Sequence, residues 1–183
     1  MKKYKFFLFA VVVVFLQLFL LFSFGQPLVS KTGHVYLFWF GGGVEDSQQV
    51  FDWYSFSHII HGIIFYFLIS YIFNKTSSVK ILIAVCLESF WEVLENSPMI
   101  INRYRETAIA AGYFGDSVLN SFFDVMWMII GFYFAKRFGW KVSLATVIFF
   151  ELLTLYFIRD NLTLNIIMLL FPSSDINAWQ MGN

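Results

Sequence analysis

Residues 6–24 form one apolar run, and four others, 57–73, 79–96, 117–135 and 141–158, are nearly as long. A helix crossing the hydrocarbon core of a bilayer needs about 20 residues, or about 17 at the short end. Five runs of that length in a chain of 183 residues leave little room for anything but a membrane bundle. Composition agrees: 59% of residues are hydrophobic and 13% are charged, whereas a soluble domain carries roughly 25% charge. The expected fold is all-α, a polytopic integral membrane bundle of about five transmembrane helices in a single domain spanning residues 1–183. Residues 162–171, stopped by Pro172, are too short to cross and read as a short C-terminal interfacial or re-entrant helix.

The charge arithmetic removes several classes. With 12 Lys and Arg against 12 Asp and Glu there is no basic excess for nucleic acid, and no nucleic-acid partner is expected. One cysteine, Cys86, rules out an intrachain disulfide framework and a Cys-rich metal module. Lys and Arg are retained on the cytoplasmic side of a membrane. An N-terminus inside places Lys2, Lys3, Lys5, Lys75, Lys80, Lys136, Arg137 and Lys141 there, and none of the 12 acids. The reading is N-terminus cytoplasmic and C-terminus on the outer face, which in a bacterial inner membrane is the periplasmic one. The basic start and Ser23-Phe24-Gly25 also fit a cleaved signal peptide, an alternative that leaves the later spans oriented the same way.

Against this background the carboxylates stand out. Glu88, Glu92, Glu95, Asp124 and Glu151 fall inside spans, with His58, His61, Asp116 and Asn120 toward span ends. An isolated ionised acid at mid-helix costs roughly 2.5–3.5 kcal/mol, so five cost about 10–15 kcal/mol, comparable to the stability of a whole domain. They must face one another, a cation, a metal or water, or carry protons. Spacing points to one site, because His58/His61, Glu88/Glu92/Glu95 and Asp116/Asn120/Asp124 each repeat at three or four residues, on one helical face. Counted from the outer ends, Glu88, Asp124 and Glu151 lie about 12 Å down. These positions predict a polar funnel open to the outer leaflet.

Each feature has a plainer alternative. The acids can serve as hydrogen-bonded glue between helices, and Asp116-Ser117 after Gly115 can cap the fourth span. Imidazoles opposite carboxylates suit Zn, Mn or Fe, so His58, His61, Glu92 and Asp124 are a candidate divalent-metal set. Arg103 and Arg105, flanking Tyr104 in what reads as a non-helical loop, can grip an anion or instead neutralise Glu95 and Asp116. Gly41-Gly42-Gly43 followed by Glu45 reads as a turn, since no G-K-[ST] follows it. Trp53, Tyr54 and Trp140 flank spans as belt aromatics and are assigned no chemistry.

His58-Ile-Ile-His61-Gly62, Phe65-Tyr66, Glu88-Ser-Phe-Trp-Glu92-Val-Leu-Glu95-Asn96, Arg103-Tyr104-Arg105, and the stretch from Tyr113 through Asp116, Asn120 and Asp124 to Gly131 carry a resemblance. Over residues 45 to 135 they resemble an uncharacterised, UPF-type family of bacterial inner-membrane proteins, which implies a multi-pass protein and no particular reaction. A weaker similarity is to VanZ-like envelope proteins, from which Phe123, in place of a Gly after the Asn, and the second His depart. The expected function is an intramembrane enzyme that hydrolyses or transfers a group on a lipid or lipid-linked envelope precursor from the periplasmic side. In it Glu88, Glu92, Asn120 and Asp124 are catalytic, and Arg103, Arg105, Tyr104 and Asp116 bind an anionic substrate. The alternatives are a non-enzymatic lipid-binding protein and a proton-coupled carrier.

Overall fold

The computed structural model describes residues 3–106 and 112–182. Among these the chain is all-helical, with seven α-helices, a short 3-10 turn at Gly43–Glu45 and no strand. The α-helices are α1 (Lys3–Ser23), α2 (Ser55–Ile72), α3 (Ser77–Glu95), α4 (Pro98–Arg105), α5 (Val118–Ile158), α6 (Leu162–Leu170) and α7 (Ser174–Met181). Three of them, Tyr4–Ser23, Ser55–Ile72 and Val118–Ile158, are long and apolar enough to cross a membrane. α3 has the length, but Lys80, Glu88, Glu92 and Glu95 interrupt its apolar character.

α5 is 41 residues long and would extend about 60 Å if straight. It is not straight. Gly139 adopts φ 74°, a left-handed conformation that only glycine takes at low cost, and breaks the helix there. The second half then turns back. Asn120 near one end donates to the Gln49 carbonyl at 2.8 Å, while Phe157 near the other stacks on Trp53 at 5.2 Å. Both ends of α5 therefore reach the same loop.

Packing follows from small residues and apolar faces. A Cβ on Gly62 of α2 would overlap the Met128 carbonyl oxygen of α5, and one on Gly131 would overlap that of Ile59. Their absence lets the two backbones touch. Around that crossing Ile69, Ala84, Val85, Val125, Met128 and Phe132 form a buried core, with Val13 and Val14 of α1 against it. Outward faces stay apolar and bare, as with Phe7 at 72% and Phe15 at 71% exposure. Such patches are covered in a bilayer and would associate in water.

Two helices were not expected from hydropathy. Ser97-Pro98 starts α4 by the N-terminal preference of proline, so Arg103 and Arg105 lie in a helical last turn and not in a non-helical loop. α7 follows α6 after Pro172, capped by Ser173, which accepts from Ile176 N–H. The long loop 25–54 lies over one end of the bundle. Its carbonyls at Pro27 and Leu28 accept the Val118 and Leu119 N–H groups that the first turn of α5 leaves free.

Candidate functional site

α2, α3 and α5 each bring one polar stripe to the covered end of the bundle. His58 lies at the centre. Its Nδ1 is 2.7 Å from Glu88 Oε1 and 3.4 Å from Glu92 Oε1, and its Nε2 is 3.8 Å from Asp124 Oδ2. His61, one turn along α2, puts its Nδ1 3.2 Å from both Glu88 oxygens. Glu88 and Glu92 are fully buried, and Asp124 is 3% exposed. Two donor sets, His58/His61/Glu88 and His58/Glu92/Glu95, each gather their nitrogen and oxygen atoms within 4.8 Å of one another.

Support comes from residues the sequence pattern did not single out. Gln17 of α1 donates to Ser121 Oγ at 2.7 Å, and Ser121 Oγ donates to Glu92 Oε2 at 2.6 Å. That fixes the carboxylate while leaving Glu92 Oε1 without a hydrogen-bond partner, and Asp124 Oδ1 also has none. They are two of nine buried side-chain atoms without a hydrogen-bond partner among the described residues, and both belong to carboxylates within 4 Å of His58. Tyr104 hydrogen-bonds to Glu95.

Part of the cluster forms the polar floor of a cavity of about 500 Å³, whose lining does not include Glu88 or Glu92. His58, His61, Glu95, Asp116 and Asp124 line it on one side, and Leu162, Ile166, Met168 and Leu169 of α6 form an apolar wall. Tyr54, expected to be an inert belt aromatic, also lines it and donates to Asp160 at 3.3 Å. No Lys or Arg is among the described residues of the lining.

A hydrogen-bonded collar surrounds the mouth. Asp116 accepts from Asn96 at 2.6 Å and from the Tyr113 hydroxyl at 2.9 Å. Ser117, not Asp116, caps α5 by accepting from Asn120 N–H. Asp52 accepts the N–H groups of Ser47, Tyr54 and Ser55, which starts α2. Gly115, at φ 97°, passes so close to Gln26 and Asn96 that a Cβ would collide with both side chains.

Burial pushes Asp52 up to about 6, against the pull of those N–H donors. Burial and then the neighbouring Asp52 charge push Asp46 up to about 6, and burial does the same for Asp160. A carboxyl with a folded pKa above its unfolded value of about 3.9 holds its proton more tightly when folded. The stability this supplies is complete below about pH 4 and is lost as pH rises through about 6. The thermal midpoint of the purified chain is therefore expected to fall between those limits, with a shallower slope in Asp46→Asn. An identical slope in the variant would contradict the assignment.

Several expected site residues are placed elsewhere. Asn120 turns to Gln49 and serves as a tether for the loop, not as a group facing the cavity. Glu151 does not join the funnel; its carboxylate accepts Leu162 and Thr163 N–H at the start of α6. Arg103 donates to the Leu169 carbonyl and pairs with Glu106. Arg105 donates to the Tyr113 carbonyl and borders a separate cleft with Lys31 and Asn102. The two arginines thus neither form a clamp over the carboxylate cavity nor neutralise Glu95 and Asp116. Eight residues of helix aim them apart.

The family described as "Protein of unknown function (DUF2585)" matches residues 21–182. The chain belongs to this family. A UPF0314 protein of Sphingopyxis alaskensis is 49% identical over 176 residues, covering 94% of this chain and 93% of its own. UPF0314 proteins of Rhizobium johnstonii and Novosphingobium aromaticivorans are 46% and 45% identical, covering 95% and 94% of this chain and 89% and 88% of theirs. No solved structure matches. The UPF-type resemblance is thereby established, while these matches do not show the VanZ-like similarity.

Proposed function

We propose that this DUF2585 protein is a multi-pass bacterial inner-membrane enzyme that hydrolyses or transfers a group on a lipid or lipid-linked envelope precursor. The observation that carries the reading is the two-sided cavity, whose floor is His58, His61, Glu95 and Asp124 and whose wall is the apolar face of α6. An amphiphile fits such a space, with its reacting head group at the floor and its chain along the wall. Imidazole and carboxylate in contact are the groups that move protons in acyl and phosphoryl transfer. In this reading α5 crosses twice about Gly139, α3 crosses with its acids turned inward, and the chain spans the membrane five times. Lys75 and Lys80 flank the connection from α2 to α3 and Lys136, Arg137 and Lys141 flank Gly139, whereas His58 lies near the start of α2 and Glu95 at the end of α3, which supports a periplasmic site.

The test is the lipid composition of cells that express the chain, lack it, or express an inactive variant. Mass spectrometry of total lipid and lipid-linked precursors is expected to show one class depleted and its cleaved or transferred product enriched only when the native chain is present. Identical profiles, with the chain verified in the membrane, would overturn an enzymatic role and leave lipid binding as the reading.

A further inference from the structure

Resting on that reading of the cavity, we propose that His58, His61 and Glu88, one of the two donor sets gathered within 4.8 Å, hold a divalent transition-metal ion, that Glu92 closes on it as a fourth ligand, and that Asp124 lies behind His58. The donor spacing suits it. Around a four-coordinate ion bound at about 2.0–2.1 Å, neighbouring ligand atoms lie about 3.3 Å apart. His61 Nδ1 to Glu88 is 3.2 Å, and His58 Nδ1 to Glu92 Oε1 is 3.4 Å. The third pair, His58 to Glu88 at 2.7 Å, is a hydrogen bond whose shared proton a bound ion would replace.

The second, independent observation is Glu92. Ser121, itself held by Gln17, donates to its Oε2, while the buried Oε1 makes no hydrogen bond and lies 3.4 Å from His58 Nδ1. His58 then presents its other nitrogen toward Asp124 Oδ2 at 3.8 Å, longer than a hydrogen bond but on the side from which a carboxylate would orient a metal-binding imidazole. This set differs from the one expected from sequence: Glu88 takes the place of Asp124 as a ligand. His58 and His61 also line the cavity, so one side of the ion would face the substrate. Imidazole and carboxylate together select Zn, Mn or Fe over Ca or Mg.

The same ion explains how an acid-lined cavity can take an anionic head group. Asp46, Glu95, Asp116, Asp124 and Asp160 face it with no Lys or Arg among the described lining residues. A divalent cation supplies the missing positive charge and binds a phosphate or carboxylate oxygen directly.

The full chain, purified in detergent and stripped with chelator, is to be incubated with Zn(II) or Mn(II) alone and its metal measured by elemental mass spectrometry. About one equivalent is expected in the native chain. His61→Ala and Glu92→Gln should each weaken binding by about tenfold or more, and Asp124→Asn by about 10–100-fold without changing stoichiometry. Circular dichroism confirms folding of each variant; if His61→Ala does not fold, Asp124→Asn and Glu92→Gln decide. Metal well below one equivalent in the native chain, or equal affinity in folded variants, overturns the proposal. Metal binding by a chain that leaves cellular lipids unchanged sinks the enzymatic reading and not this one; altered lipids without bound metal do the reverse.

Discussion

Replacing Gly131 with leucine is expected to leave little folded chain. Even the Cβ of an alanine there would overlap the Ile59 carbonyl, and the backbone of α2 cannot rotate away as a side chain would. Overpacking relieved by side-chain movement costs about 1–3 kcal/mol. Here relief requires α2 and α5 to separate, which opens the Ile69–Met128–Phe132 core and pulls His58 from Asp124. Against a stability of about 5–15 kcal/mol for an ordinary domain, that is enough to unfold it. Gly62→Leu meets the Met128 carbonyl in the same way. Gly139→Ala is the useful contrast, because nothing lies within 4 Å of its Cβ and the cost is confined to backbone strain of about 1–3 kcal/mol. Size-exclusion profiles and thermal midpoints of the three variants in detergent check this. A monodisperse Gly131→Leu protein with the native midpoint would mean that the crossing is not a backbone contact.

Glu88→Gln is expected to abolish function while the chain still folds. The amide has nearly the shape of the carboxylate, so packing around α3 is kept, but it carries no charge and offers only one acceptor oxygen to His58 and His61. Losing a general acid or base costs about 10²–10⁴-fold in rate, and a lost metal ligand adds to that. The readout is the lipid profile of cells carrying the variant, beside its yield and melting curve. Full activity in a normally folded Glu88→Gln protein would remove this cluster from the chemistry and make the acids helix glue. Asn120→Ala separates the two roles, because Asn120 bonds to the Gln49 carbonyl and is expected to cost stability before activity.

Much was legible from the sequence because it depends only on local order. Apolar runs of bilayer length gave an all-helical protein with helices able to cross a membrane, and three- and four-residue spacing put Glu88, Glu92 and Glu95 on one face of α3. Burial cost then required those acids to meet partners, and His58, Glu88, Glu92 and Asp124 do lie together. Gln17 could have been added by the same argument, since an amide inside an apolar segment also needs a partner, and it finds Ser121. Helix start signals at Ser97-Pro98 and Ser173 were equally readable in principle.

Tertiary structure decided everything that depends on how one helix face is turned toward another. Depth alone could not separate Asp124, which faces His58, from Glu151, which caps α6, because the two lie on opposite halves of α5, before and after the break at Gly139. Nor does charge say which partner a side chain will take. Arg103 and Arg105 are two residues apart on a helix, so their side chains diverge toward Leu169 and Tyr113 instead of closing on one anion. The fold of α5 back on itself at Gly139, the α2–α5 contact at Gly62 and Gly131, and the placing of α6 along the cavity are likewise long-range. A repeat of three or four residues defines a stripe on a helix but not its angle about the axis relative to a neighbour. That angle is set by backbone contacts between residues far apart in the chain, and it determines which of the buried acids share a site.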